Sequence, residues 1–309
     1  MNSKKNSEHL NKGRNRGFKI LNKEDIIFEK DLYLNLTSNS RIYKGWLESE
    51  NKKVIFKECI IEKSKNDAIK LVCNELANAI FLSKKDEIFM EFYGLYIDFD
   101  PQNKEFTFGF AMEQCDIDLE TAIKEKLLRS DKNIEYCIDT LLKGFKLMHD
   151  YGIVHRDIKP QNIFVKKYTD GWKFKIADYN ASSVVSKGTA IFSDLALTNK
   201  FGQPTYLPPE VYSQMDGEEL PQRIIMNKQK SDVYALALVF LELNIQDIPF
   251  HTPIEREQWM KDYGWNYINN EIKANWLKEL LTLMQAKNPM ERKRLSELVK
   301  IRKSYQISV

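Results

Sequence analysis

The octapeptide His155-Arg156-Asp157-Ile158-Lys159-Pro160-Gln161-Asn162 constrains this chain more than any other stretch. It gathers a carboxylate, an ammonium and an amide within one short segment, and the apolar Ile163-Phe164-Val165 follows at once. A second carboxylate, Asp178, closes another apolar stretch, Phe174-Lys175-Ile176-Ala177. Thr169-Asp170-Gly171 lies between the two stretches and signals a hairpin. Polar groups of three kinds, set at the ends of paired strands, read as a built site rather than a solvated turn.

The surrounding pattern changes character along the chain. Residues 24–112 read mostly as strands with one helix. Ile42–Trp46 and Lys53–Lys57 pair around a turn at Glu48–Asn51, and Phe92–Asp98 pairs with Glu105–Met112. Asn66–Leu82 carries apolar residues at helical spacing. After residue 117 the pattern is helical over Leu119–Leu128, Ile134–His149, Asp232–Asn244, Trp259–Tyr267, Asn275–Gln285 and Leu295–Ile301. This is an α+β chain with a small sheet-rich part and a larger helical part. The boundary between two such parts is a usual place for a small-molecule site.

The stretch from His155 to Asn162 resembles the catalytic loop of eukaryotic protein kinases. The resemblance covers residues 24–305 and implies the bilobal protein-kinase fold: a β-rich N-lobe over 24–112, a hinge at 113–116 and a C-lobe over 117–305. It implies transfer of the ATP γ-phosphoryl group to a protein hydroxyl, with ATP and magnesium as cofactors. By the same resemblance, Asp157 accepts the substrate proton, Lys159 steadies the phosphate, and Asn162 and Asp178 hold magnesium. Lys57 resembles the strand lysine that contacts the phosphates, with Glu75 as its partner. Ile42, Ile55, Met112, Glu113, Cys115 and Phe164 correspond to nucleotide-lining positions, Met112–Cys115 being gatekeeper and hinge. Lys159, two places after Asp157, is similar to the serine/threonine class. Gly202–Glu210 resembles the end of an activation segment, with Glu210 expected to pair with Arg292. Asp232 is expected to bond back to the catalytic loop. Arg156 is placed to meet a phosphorylated residue of the activation segment, for which Ser182, Ser183, Ser186, Thr189, Ser193 and Thr198 are candidates.

Several positions depart from the family pattern. Asn35, Thr37 and Ser40 replace three glycines of the phosphate-covering loop, whose backbone N–H groups approach the nucleotide. Asp178-Tyr179-Asn180 stands in place of Asp-Phe-Gly, and Asn180 is expected to tolerate the positive φ open to glycine. Tyr179 brings a hydroxyl that needs a partner if buried. Ile55 replaces an alanine and Gln203 a threonine. These departures leave two readings open: an active kinase, or a pseudokinase that serves as a nucleotide-binding or scaffolding module. A kinase fold acting on a small molecule fits less well with the full activation-segment ending.

Composition sets outer limits. The 309 residues are 43% hydrophobic and 29% charged, an ordinary globular balance, and the formal net charge of +3 gives no case for nucleic acid. Cys59, Cys73, Cys115 and Cys137 lack metal-site spacing, so the expected setting is reducing and cytoplasmic, with the nucleus left open. No apolar run reaches membrane-spanning length, and the N-terminus carries no secretory h-region. Residues 1–23 read as a basic, disordered tail, with a weak contact to an acidic surface as the sharper alternative. Residues 214–230 read as a surface insertion.

Overall fold

The computed structural model describes residues 19–36, 40–184, 204–215 and 228–307. The chain divides into two compact units at Asp116/Ile117. No helix among the described residues is long and apolar enough to cross a membrane.

The first unit is a five-stranded antiparallel sheet ordered β1-β2-β3-β5-β4. Its strands are β1 (Ile26–Leu36), β2 (Ser40–Leu47), β3 (Lys52–Glu62), β4 (Phe92–Asp100) and β5 (Glu105–Glu113), and one helix, α1 (Asn66–Ser83), follows β3. Alternation along β3 sorts its side chains onto two faces. Cys59 and Ile61 meet Val72 and Leu76 of α1 together with Phe108 and Phe110. Val54 and Phe56 face the other way, into a cluster with Leu21, Ile26, Leu47 and Ala111.

Leu21 corrects the expected extent of the basic tail. It is 2% exposed, and its backbone bonds to β4 through Leu21 N–H to Leu95 O at 2.8 Å and Leu95 N–H to Lys19 O at 3.0 Å. A Cβ on Gly94 would lie 2.7 Å from Leu21 Cγ, so only glycine lets the segment dock there. One buried leucine outweighs the polar composition around it; residues 1–18 lie outside the described residues. Of the three positions expected in the phosphate-covering loop, Asn35 belongs to β1 and Ser40 to β2, and Thr37 lies outside the described residues.

The second unit opens with β6 (Ile117–Asp118) and α2 (Leu119–Lys124), then α3 (Asp131–Asp150) and β7 (Ile153–Val154). The hairpin of β8 (Ile163–Tyr168) and β9 (Gly171–Ile176) follows, then β10 (Ser183–Val184). The remaining helices are α4 (Pro209–Met215), α5 (Lys228–Ile245), α6 (Pro253–Trp259), α7 (Trp265–Asn270), α8 (Asn275–Met284) and α9 (Leu295–Ile307). Side-chain oxygens cap the early helices, Asp118 accepting from Thr121 N–H and Ser130 from Asn133 N–H. α5 is buried from Val233 to Leu243 and forms the centre of the unit.

Two helical expectations need correction. The helix from Leu119 ends at Lys124, because Lys126 turns left-handed at φ +55° and lets Leu128 bury fully. The helix expected over Trp259–Tyr267 starts earlier, at Pro253 behind the Thr252 cap, and widens into a π turn at Met260–Gly264. Gly264 sits where a Cβ would lie 2.6 Å from Met260 Sδ and 2.8 Å from the Trp259 ring, so the widened turn is closely packed.

Candidate active site

In the first unit, strand register gathers the expected nucleotide-side residues. Ile42 stands opposite Lys57, and Ile55 stands opposite Met112. Ile55 and Lys57 are two apart on β3, so these four side chains share the sheet face that α1 covers. Lys57 Nζ donates to Glu75 Oε1 at 2.6 Å, with 15% and 8% of the two side chains exposed. The Lys57 ammonium also lies 5.7 Å from the centre of the Phe110 ring. Glu113 ends β5, and its N–H is spent on Glu91 O at 2.9 Å; Cys115 lies beyond it, half-buried.

In the second unit, two functional groups converge on one carboxylate. Lys159 Nζ donates to Asp157 Oδ2 at 2.8 Å, and Asn162 Nδ2 donates to the same oxygen at 2.9 Å. Asn162 Nδ2 also reaches Asp157 O at 2.8 Å. Both donors meet Oδ2. With its Nδ2 engaged, the Asn162 amide turns its Oδ1 the other way. A pocket beside Asp157 is walled by Ile158, Tyr206, Leu207, Pro208, Val211 and Ser231.

The hairpin places the second carboxylate. Ile163 pairs with Ile176, so Asn162 and Ala177 meet at the hairpin's open end, where Ala177 N–H donates to Asn162 O at 3.1 Å. Asp178 follows directly. Its φ is +61°, whereas Asn180 is not among the left-handed residues, so the expected site of positive φ moves by two positions. Buried Tyr179 finds its hydroxyl partner in Ile176 O at 2.6 Å. Phe164 is half-buried on β8, opposite Asp118 and Lys175.

Two buried anchors hold the parts in place. Asp232 on α5 accepts from His155 N–H and Arg156 N–H, each at 2.8 Å, and from His149 Nε2 at 2.8 Å. Burial alone would raise its pKa, but the bonds and charge of His149 and His155 outweigh it and hold the pKa below the usual carboxylate value. Glu210 and Arg292 form a two-pronged pair at 2.7 and 2.8 Å with almost no exposure. Both contacts match expectation.

Other buried contacts have no local sequence signal. His149 lies 83 residues from Asp232. Tyr206 O–H meets both Glu242 oxygens at 3.0 Å. Arg256, fully buried, donates from Nη1 to Thr205 O at 2.6 Å and to Leu207 O. The expected positions Gln203, Ser186, Thr189, Ser193 and Thr198, and most of 214–230, lie outside the described residues.

A carboxylate steadied by lysine and asparagine, a second carboxylate at the hairpin end and a lysine–glutamate pair between β3 and α1 of the first unit are parts that phosphoryl transfer uses. The chain matches a model of the protein kinase domain over residues 37–302 and belongs to that family. Its two units are the sheet-rich and helical parts of the bilobal α+β kinase fold. It is 30% identical over 167 residues to eukaryotic translation initiation factor 2-alpha kinase 1 of Plasmodium falciparum, covering 54% of this chain and 10% of that protein. It is 30% identical over 172 residues to probable serine/threonine-protein kinase fhkB of Dictyostelium discoideum, covering 55% of this chain and 14% of that one. Probable serine/threonine-protein kinase PknB of Lactococcus lactis is 32% identical over 124 residues, which is 40% of this chain and 17% of that protein. Each match is a small part of the relative's length.

Proposed function

We propose that this chain is an active protein kinase that transfers the γ-phosphoryl group of ATP to serine or threonine hydroxyls of a protein substrate. The observation that carries this reading is the convergence of Lys159 and Asn162 on Asp157 Oδ2. In this reading the carboxylate held by those two donors accepts the proton of the substrate hydroxyl during attack. Lys159, bonded to Asp157, also steadies the transferred phosphoryl group with its charge. Lys57, oriented by Glu75, supplies the cation for the nucleotide phosphates. The Ser/Thr assignment rests on Lys159 and on resemblance to the serine/threonine kinases named above.

Asn162 and Asp178 suit magnesium, because both offer hard oxygen donors at the same hairpin end. Magnesium bound there neutralises phosphate charge. It characteristically takes few protein ligands and completes its shell with phosphates and water.

The Asp157→Asn variant tests the reading. Wild-type protein with Mg–ATP and a generic protein substrate should transfer phosphate, and the variant should lose transfer by at least about a hundredfold while still binding nucleotide. Nucleotide binding without transfer by the wild type would favour the pseudokinase reading, to which the replaced glycines at Asn35, Thr37 and Ser40 point. Neither transfer nor Mg-dependent ATP binding would sink the enzyme reading.

A further inference from the structure

We propose that the Tyr179 hydroxyl is a positioning group that fixes the direction of the Asp178 carboxylate. The proposal deepens the kinase reading, because it names what aims the second metal-binding carboxylate. Asp178 sits at φ +61°, a left-handed conformation uncommon for residues with a side chain, though Asp adopts it more readily than most. Such a residue persists only where its surroundings over-determine it.

The structure supplies that restraint on both sides. Upstream, Ala177 is tied through its N–H to Asn162 O at 3.1 Å and through its O to His155 Nε2 at 3.0 Å. Downstream, Tyr179 is held at three points. Its hydroxyl donates back across Asp178 to Ile176 O at 2.6 Å. Its carbonyl accepts from Ser182 N–H at 3.0 Å and from Ser182 Oγ at 2.5 Å. Its ring lies against His155, 5.9 Å between centroids. Tyr179 is 3% exposed, so a hydroxyl here without a partner would be costly. The bond to Ile176 O satisfies that hydroxyl and closes a loop of three residues around Asp178. A phenylalanine would fill the same ring site and leave the loop open. The hydroxyl therefore does something that the ring cannot: it limits the rotation of Asp178 between two fixed neighbours.

The test is Tyr179→Phe, which keeps the ring and removes one hydrogen bond, with Ser182→Ala as a second variant that leaves Tyr179 intact. Two measurements are made on the full chain. Hydrogen–deuterium exchange without nucleotide reads the amides of 178–184, and titrations of ATP with and without magnesium read how much magnesium tightens binding. Exchange should quicken about three- to tenfold in Tyr179→Phe, and the magnesium-dependent gain should shrink by a similar factor, as expected for one lost hydrogen bond. ATP affinity without magnesium should stay unchanged. Ser182→Ala should move both readouts the same way, less far. A purely structural hydroxyl would lower the melting temperature and quicken local exchange while leaving the magnesium gain alone, and that result would overturn the proposal. If the wild type binds no Mg–ATP, the kinase reading fails on its own account, and unchanged exchange would still refute the role of the hydroxyl.

Discussion

Asp232 and Glu242 lie on the same buried helix, α5, at 1% and 0% exposure, yet their surroundings drive them in opposite directions. Asp232 meets two backbone N–H groups and His149, and its pKa is lowered despite complete burial. Glu242 is pushed well above the usual range by desolvation, the Tyr206 hydroxyl offsetting only part of that, with Glu120 and Asp247 adding to the rise. Burial is the same; the number and aim of donors differ. A carboxylate that fixes a catalytic loop is built with donors that favour its charge. One that supports a single tyrosine tolerates a proton.

The largest break in this contrast is Asp232→Asn. The amide keeps one acceptor oxygen and sets an N–H₂ group against backbone donors. Urea denaturation should show a loss of about 3–5 kcal/mol, the scale for removing one side of a buried charged contact, with phosphate transfer failing alongside. A loss under about 1 kcal/mol would show that the catalytic loop does not hang on this residue.

Glu242→Gln should act in reverse. The folded pKa of Glu242 is raised above its ordinary 4.5, so above that pH the unfolded chain releases a proton that the folded chain retains. The contribution of Glu242 is complete below about pH 4.5 and erodes as pH rises toward the folded pKa, by at most about 1.4 kcal/mol per pH unit. Glutamine has no such slope. Denaturation of both proteins at pH 5, 6 and 7 should show the variant gaining on the wild type at each step. Parallel profiles would mean that Glu242 ionises as readily folded as unfolded.

How much of this could be read in advance depended on the kind of contact. Asp157, Lys159, Asn162, Asp178, Glu210, Arg292 and Asp232 sit in local runs whose order is informative, and the structure brings together the pairs expected among them. The Lys57–Glu75 pair followed from an apolar strand and a helix of regular spacing. Glu242 had no such signal: an acidic residue amid Leu241 and Leu243 does not announce Tyr206 as its partner, 36 residues away. Arg256 is similar, since its partners are backbone carbonyls that any residue at 205 and 207 would offer. Leu21 was hidden by the charges around it. Asn180 was expected to tolerate a positive φ, which the chain instead adopts at Asp178, two residues earlier.

Tyr206→Phe sharpens the Glu242 side of the contrast. It leaves the carboxyl buried without its hydroxyl partner, and the cost should be about 1–3 kcal/mol by denaturation. In a Glu242→Leu background the same change should cost much less, because no carboxyl is then stranded. Equal costs in both backgrounds would place the worth of the hydroxyl elsewhere.

The smallest change tests the Asp232 side. His149→Phe keeps an aromatic ring at the 8%-exposed site and removes one donor from Asp232 Oδ2. The two backbone N–H groups remain, so the carboxylate stays bound, and the loss at pH 7 should be only about 1 kcal/mol. The sharper readout is acid. Asp232 has a depressed folded pKa, so its contribution is present above its unfolded value near 3.8 and is lost as pH falls through the folded value. Side-chain bonding from His149 is the leading cause that lowers this pKa. Without it the folded pKa moves up toward 3.8, and the acid-unfolding midpoint should move up with it. A variant that loses stability at pH 7 but keeps the wild-type acid midpoint would show that His149 packs beside Asp232 without holding its charge.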